Sequence, residues 1–263
     1  GRSDLKEASL SNDSSDARPA SPTQTVNTKI LIGILVFFAF WILLFLWRHI
    51  FSDATHALDE AKARMQCSTN IKAIATAIHA YKDEHGSFPP TFTVDESGRR
   101  MHSWRTLILP YLGEQEIFDQ FDLSQRWDAD VNRAARETVV DAYRCPSDTN
   151  DGATTRYFAV IVGDGIMTGD VGTKAERVVD GMDNTIVVVE GPPEKATSWA
   201  EPLDLTADEF LAFDSETELS HHVGGTHAAM ADGSIIFFTR STDKKLLSAM
   251  LTASGGEPVD TGW

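Results

Sequence analysis

One run of the sequence restricts the fold more than any other: the uncharged stretch ILIGILVFFAFWILLFLW, residues 30–47. As an α-helix it would rise about 27 Å, close to the hydrocarbon thickness of a bilayer. Trp47 ends the run, and Arg48 and His49 follow it, as is typical of an interfacial anchor. A buried core helix rarely stays apolar on all faces, and a secretory signal has a shorter apolar core with a small-residue exit. The run therefore predicts a retained single-pass transmembrane helix over residues 30–50.

The charge of the chain is concentrated beyond this run. Residues 1–29 carry four basic and four acidic residues, so the net charge of −16 belongs to the part that follows residue 47. An acidic domain repels phosphate backbones, which argues against nucleic acid as a partner. The first 29 residues are rich in Ser, Asp, Pro and Thr, and this composition predicts a disordered tail.

The two cysteines, Cys67 and Cys145, bear on which side of the membrane the domain lies. Lys29 and Arg48 flank opposite ends of the apolar run, so the positive-inside rule leaves the orientation open. An even pair of cysteines suits an oxidising compartment, where a bridge across this separation would contribute about 4 kcal/mol. Two unrelated thiols in a cytoplasmic domain are the alternative. No CxxC or Cys/His spacing suited to zinc is present.

Residues 51–263 begin with the pattern of an amphipathic helix. Ser52 or Asp53 can cap its start and Gly86 its end. Apolar residues recur there at steps of three and four: Ala57, Ala61, Met65, Ile71, Ile74, Ile78 and Tyr81. The segment SWRTLILPYLGEQEIFDQFDLSQRW predicts two short helices, and a final helix is expected between Thr242 and Gly255. The intervening runs RYFAVIVG, NTIVVVEG, THAAMA and SIIFFT predict strands.

Several segments together resemble one family, the domain of unknown function 1559. They are ARMQCSTNIKAIATAIHAYKDEHGSFPP, SWRTLILPYLGEQEIFDQFDLSQRWD, YRCPSD, DGMDNTIVVVEG, SWAEPLDL and a His222-X9-Asp232-Gly233 pattern of prepilin type, over about residues 54–257. The resemblance implies an α+β, pilin-like fold: a long helix packed on an antiparallel sheet with short helical insertions. It also implies a bacterial cell-envelope location and favours a Cys67–Cys145 bridge, since both cysteines lie inside these segments.

The start of the chain departs from that pattern. Members usually carry a prepilin cleavage site and a glutamate near the start of the apolar helix, and NTKILIGILVFFAFW has neither. A carboxylate in hydrocarbon needs a partner, which in a filament is the neighbouring subunit. Its absence predicts an uncleaved pilin-like domain tethered to the inner membrane, with residues 51–263 on the extracytoplasmic side.

His222, Asp232 and Gly233 are predicted to be architectural. Asp-Gly favours a two-residue type I′ hairpin turn, so the nine-residue gap would measure a loop plus one strand. His222 and His227 would point to opposite faces of an extended strand, with no cysteine nearby to complete a zinc site. We expect His222 to bond the backbone around the following glycines instead.

Other candidate sites are weaker. Asp148, Asn150 and Asp151 form an oxygen-rich loop, a weak calcium candidate without EF-hand spacing. Glu190, Glu201 and Asp232 could form a carboxylate site, but nothing in the sequence fixes their separation. No serine-nucleophile or phosphate-loop motif occurs, so no catalytic constellation and no cofactor is predicted.

Three classes of function remain open. The first is a structural or interaction protein of pseudopilin type, with the lipid bilayer and other pilin-like or envelope proteins as candidate partners. The second is a minor subunit of a type II secretion or type IV pilus-like assembly. The third is an envelope enzyme with an unrecognised site.

Overall fold

The computed structural model describes residues 27–146, 148, 152–212, 222 and 224–256. The chain divides after Asp53 into two compact units, of which residues 54–263 form the larger. Helices and small antiparallel sheets are combined in it, as the predicted α+β class requires. The predicted disordered tail lies outside the described residues, apart from residues 27–29.

The elements follow one another in a mixed order. The helices are α1 (Thr28–His85), α2 (Trp104–Leu107), α3 (Gln115–Phe118), α4 (Arg133–Arg136), α5 (Ala207–Ala212) and α6 (Lys244–Ala249). The strands are β1 (Phe92–Val94), β2 (Arg100–Ser103), β3 (Thr154–Thr155), β4 (Tyr157–Phe158), β5 (Val160–Ile161), β6 (Met167–Thr168), β7 (Val171–Gly172), β8 (Ile186–Glu190), β9 (Thr197–Ser198), β10 (Leu205–Thr206), β11 (Gly225–Met230) and β12 (Ile235–Thr239). Single 3-10 turns occupy Leu109–Leu112, Asp130–Asn132, Asp141–Tyr143, Ala175–Arg177 and Pro193–Lys195.

The C-terminal end of helix α1 lies where it was predicted, whereas its N-terminal end does not. Gly86 ends it with φ 75°, and its N–H donates to the carbonyl of Lys82 at 2.8 Å. A left-handed residue at this position is a common helix stop, and glycine adopts it without strain. The predicted caps Ser52 and Asp53 lie inside the bounds of α1, so no helix begins there.

Burial along the second half of α1 follows only part of the predicted stripe. Ile71, Ile74 and Ile78 are fully buried, whereas Met65 is 72% exposed and Ala57 and Ala61 are also exposed. Among the described side chains of α1, full burial begins at Cys67. Ala57 and Ala61 have the predicted spacing but are exposed.

The central sheet has four antiparallel strands in the order β12-β11-β8-β4. On β11, Ala229 belongs to a core that contains Ile74 of α1, whereas Ala228 and Met230 belong to a second core with Phe210 of α5. Neighbouring side chains alternate in this way because they point to opposite faces of a strand. Helix α1 therefore covers one face of the sheet, and α5 and α6 lie on the other.

The hairpin between β11 and β12 differs from the predicted turn. The N–H of Gly233 donates to the carbonyl of Met230, and the N–H of Met230 donates to the carbonyl of Ser234, both at 2.9 Å. The loop therefore has three residues, with Gly233 at φ 84°. This is the three-residue hairpin in which a left-handed glycine closes the turn. The predicted two-residue type I′ turn is wrong because the strands close one residue earlier, at Met230.

The last helix is shorter than predicted and starts one residue later. Asp243, not Thr242, is its N-cap, and the Asp243 carboxylate accepts a hydrogen bond from the N–H of Lys245 at 2.8 Å. The helix ends at Ala249, well before Gly255, and Met250 behind it is fully buried in the second core.

A buried ion pair joins the short helices to the sheet. Nη2 of Arg105 lies 2.7 Å from Oδ1 of Asp204, and both side chains are fully buried. The same oxygen accepts hydrogen bonds from the indole N–H of Trp104 and the backbone N–H of Ala159. Arg105 also donates to the carbonyl of Tyr157 in β4. Each charge is thus paired and hydrogen-bonded, as burial of charged groups requires.

Candidate functional site

Four chemically distinctive side chains meet beneath the sheet: Cys67, Cys145, Glu190 and His222. One ligand atom from each lies within 4.8 Å of the others, and all four residues are buried. Within the part of the chain that the structure describes, this is the group whose residue types and proximity suit a metal ion. Both cysteines of the chain belong to this group.

The tertiary fold brings the four residues together from distant parts of the sequence. Cys67 lies on α1 and Glu190 is the last residue of β8, while Cys145 and His222 lie in connecting segments. The Asn70 amide, one turn beyond Cys67, donates to the carbonyl of Arg144 at 2.6 Å. This bond fixes the backbone beside Cys145 against α1.

The two sulfur atoms are adjacent. The Sγ atoms of Cys67 and Cys145 lie 2.6 Å apart, and both residues are free thiols in the structure. The thiol–thiol hydrogen bond and burial raise the pKa of Cys67 far above its ordinary value. The same bond lowers the pKa of Cys145 to about 6, against the effect of burial and with the help of His222.

Glu190 brings a negative charge to the cluster. Its Oε1 lies 3.3 Å from Nη2 of Arg156 and 3.4 Å from Nε2 of His222, and its Oε2 lies 3.3 Å from Nδ1 of His227. Burial raises the pKa of the carboxyl group, but hydrogen bonds with the two histidines and the charge of Arg156 lower it well below its usual range. Glu190 is thus held as a carboxylate.

His222 is held by acidic groups on both ring nitrogens. Nδ1 lies 3.0 Å from Oε1 of Glu60 on α1, while Nε2 faces Glu190 and lies 3.8 Å from Sγ of Cys145. Burial lowers the pKa of the imidazole, but hydrogen bonds with Cys145 and Glu190 raise it to about 10. The His222 ring therefore lies between the carboxylates of Glu60 and Glu190, with the sulfur of Cys145 beside it.

Comparison with known proteins gives a family but no function. Residues 60–165 and 212–245, more than half of the chain, match the family described as Protein of unknown function (DUF1559). The chain belongs to this family. No curated protein and no solved structure matches the chain significantly. The matched residues of the DUF1559 chain include Cys67, Cys145 and His222, whereas Glu190 lies between the two matched segments.

The structure corrects the sequence-based interpretation of His222. His222 and His227 were predicted to point to opposite faces, yet their rings lie 5.6 Å apart and both contact Glu190. His222 precedes β11, so the alternation of a strand does not apply to it. The statement that no cysteine lies nearby is also wrong, since Cys145 is in contact. Its ring nitrogens face the carboxylates of Glu60 and Glu190, whereas the expectation was a bond to the backbone around the following glycines.

The described residues of the other candidate sites have partners of their own. Asp148 lies 2.7 Å from Nε of the buried Arg156, so its carboxylate already has a cationic partner. Asn150 and Asp151, the other two calcium candidates, lie outside the described residues. Glu201 accepts a hydrogen bond from Thr197, and Asp232 accepts one from the N–H of Ser234. Neither belongs to the Glu190 cluster.

Two members of this site were missed in the sequence. Glu60 and Arg156 were not singled out, although Arg156 directly precedes a strand-like run and is fully buried. A usable signal was Glu190 itself, a charged residue at the end of the apolar strand IVVVE, all of which is buried. A carboxylate in that position needs partners.

Proposed function

We propose that this DUF1559 protein is a membrane-anchored, pilin-like structural or interaction protein of the bacterial cell envelope. It is tethered to the inner membrane by one uncleaved helix, with residues 54–263 on the extracytoplasmic side. It has no enzymatic activity of its own. The observation that carries this proposal is the exposed apolar part of α1.

That part of α1 has the properties of a membrane span. Its most apolar window has a mean hydropathy of 2.9, and none of it is buried against the protein. The large apolar side chains from Ile30 to Trp47 are exposed. A continuous apolar surface of this size is unfavourable in water and favourable in hydrocarbon. Trp47 and Arg48 at its end suit the bilayer interface.

The order of elements supports the pilin-like part of the proposal. A long N-terminal helix is followed by an antiparallel sheet, and one face of that sheet packs on the helix. The apolar run carries no glutamate with which to pair a neighbouring subunit. A solitary membrane tether fits this sequence better than a filament subunit. In a filament, a glutamate in the apolar helix would pair with the neighbouring subunit, and this apolar run has none.

The cysteine pair supports the extracytoplasmic side. Cys67 and Cys145 are buried and adjacent, so closing a bridge between them needs only a small movement. Bridges persist in oxidising compartments. The burial of the whole cluster also supports a non-enzymatic role, since its four side chains are at most 1% exposed and offer no surface to a substrate.

Fractionation and co-purification test this proposal. The full chain should remain with membranes after alkaline carbonate extraction, whereas a matched chain that lacks residues 1–53 should be soluble. Release of the full chain by carbonate would contradict the anchor. Mild detergent extraction should then yield the protein without stoichiometric pilin-like partners, while recovery of such partners would favour a subunit of a secretion or pilus-like machine.

A further inference from the structure

We propose that, when both cysteines are reduced, Cys67, Cys145, Glu190 and His222 bind one Zn²⁺ ion. Two thiolates, one imidazole nitrogen and one carboxylate oxygen are ligands that zinc takes in four-coordinate sites. All four come from buried side chains that already face one another. This inference goes beyond the role as a membrane-anchored module and does not depend on it.

Two separations from Nε2 of His222 fit the edges of a tetrahedral zinc site. With zinc bonds of about 2.3 Å to sulfur and 2.0 Å to nitrogen and oxygen, ligand atoms lie about 3.3–3.7 Å apart. Nε2 of His222 lies 3.8 Å from Sγ of Cys145 and 3.4 Å from Oε1 of Glu190. The sulfur–sulfur edge, at 2.6 Å, must open by about 1 Å. Rotation of the two cysteine side chains can supply that change.

The surrounding groups are those that a metal-binding histidine requires. A ligating imidazole commonly donates its other N–H to a carboxylate, which fixes the ring and raises its basicity. Nδ1 of His222 lies 3.0 Å from Oε1 of Glu60, leaving Nε2 toward the thiols. Glu60 is therefore the positioning residue of the proposed site.

Zn²⁺ would offset most of the negative charge of its ligands. Two thiolates and the Glu190 carboxylate carry three negative charges, and Zn²⁺ compensates two of them. The buried guanidinium of Arg156 lies 3.3 Å from Glu190 and is shared with Asp148, which lies 2.7 Å from it. A buried group of charges is stable only when it is paired in this way. A Cys67–Cys145 bridge removes the thiolates, so the bridged and zinc-bound forms exclude each other.

Cobalt and zinc titration of the full chain in detergent tests the proposal. The protein is reduced with a phosphine, freed of metal, and titrated anaerobically with Co²⁺ and then Zn²⁺. We expect one equivalent of Co²⁺ to produce thiolate-to-cobalt charge-transfer absorption, which Zn²⁺ then abolishes. Zn²⁺ should also raise the Tm of the reduced protein. A sample oxidised with diamide should show neither effect.

Variants assign the binding to this site. Cys145→Ser and His222→Ala should each weaken binding at least about 10-fold, and Glu60→Gln about 10- to 100-fold. His56→Ala alters an exposed histidine one helical turn from Glu60 and should bind as the parent does. A reduced parent protein that keeps its circular dichroism but binds no Co²⁺ or Zn²⁺ would overturn the proposal. Equal binding by the parent, Cys145→Ser and His222→Ala would do the same.

Discussion

Nδ1 of His222 lies 3.0 Å from Oε1 of Glu60, which is 162 residues earlier in the chain on α1. The other end of the His-X9-Asp-Gly pattern contacts the same helix, because Nζ of Lys72 donates to the carbonyl of Gly233 at 2.5 Å. Glu60 and Lys72 are about 18 Å apart along the helix axis. The spacing between His222 and Gly233 thus sets how the β11 hairpin is placed along α1.

Removing the carboxylate of Glu60, the residue of α1 that His222 contacts, should weaken the packing of His222 on α1. We expect Glu60→Ala to lower the free energy of unfolding of the 54–263 fragment by about 1–3 kcal/mol, because a buried ring nitrogen loses the carboxylate that faces it. Asp59→Ala is the control, since Asp59 is 74% exposed and pairs with the exposed Lys62. Urea unfolding measures both. Equal effects of the two substitutions would contradict the docking role of Glu60.

The hairpin loop gives a second prediction. Gly233 has φ 84°, and a Cβ placed there would lie 3.2 Å from Nε2 of His79. Gly233→Val should therefore destabilise the domain by about 1–3 kcal/mol, through backbone strain and crowding against α1. Gly163→Ala has an ordinary φ and open space around its Cβ, so it should change stability little. Thermal unfolding that leaves Gly233→Val at the parental Tm would refute this account of the turn.

The ion pair between Arg105 and Asp204 gives a third prediction. Asp204→Ala leaves a fully buried guanidinium without its carboxylate and should cost about 3–5 kcal/mol. Asp128→Ala breaks a pair with Arg126 in which both side chains are more than 40% exposed, so it should cost less than about 1 kcal/mol. Chemical unfolding compares them. Similar losses of stability in the two variants would show that the contact between the short helices and the sheet does not depend on Asp204.

The cysteine pair gives a fourth prediction. In protein isolated from the envelope with thiols blocked at lysis, non-reducing peptide mapping should find the peptides of Cys67 and Cys145 joined, because the sulfurs are adjacent and the proposed compartment is oxidising. The same chain without residues 1–53, kept in a reducing cytoplasm, should yield two alkylated thiols. Free thiols in the envelope sample would contradict both the bridge and the assigned side of the membrane.

Local patterns in the sequence predicted the elements well. The runs around Ile186–Glu190, Gly225–Met230 and Ile235–Thr239 were identified as strands, and Gly86 as the end of the long helix. These features depend on side-chain alternation and glycine conformation, which are properties of neighbouring residues. The adjacency of Cys67 and Cys145 was expected from the even number of cysteines and from a family resemblance, because nothing local determines it.

The site itself depended on contacts that the sequence does not display. Glu60, Glu190 and His222 lie far apart in the chain, and only the packing of α1 on the sheet brings them together. His222 was interpreted as a strand residue, so its direction was predicted from alternation. In the structure it precedes β11 and its ring lies between two carboxylates. The nine-residue spacing was interpreted as the length of a loop plus one strand, and in the structure His222 and Gly233 at its two ends both contact α1.

The proposed function is tested most directly by measuring on which side of the membrane the domain lies. A full-length chain is made with a site-specific protease cleavage sequence and an epitope tag after Trp263, and intact spheroplasts are treated with that protease. If the domain is extracytoplasmic, we expect the tag to be removed without lysis, while a cytoplasmic protein with the same cleavage sequence stays uncut. A tag that is protected until the membrane is permeabilised would place the domain in the cytoplasm and contradict the proposed extracytoplasmic function.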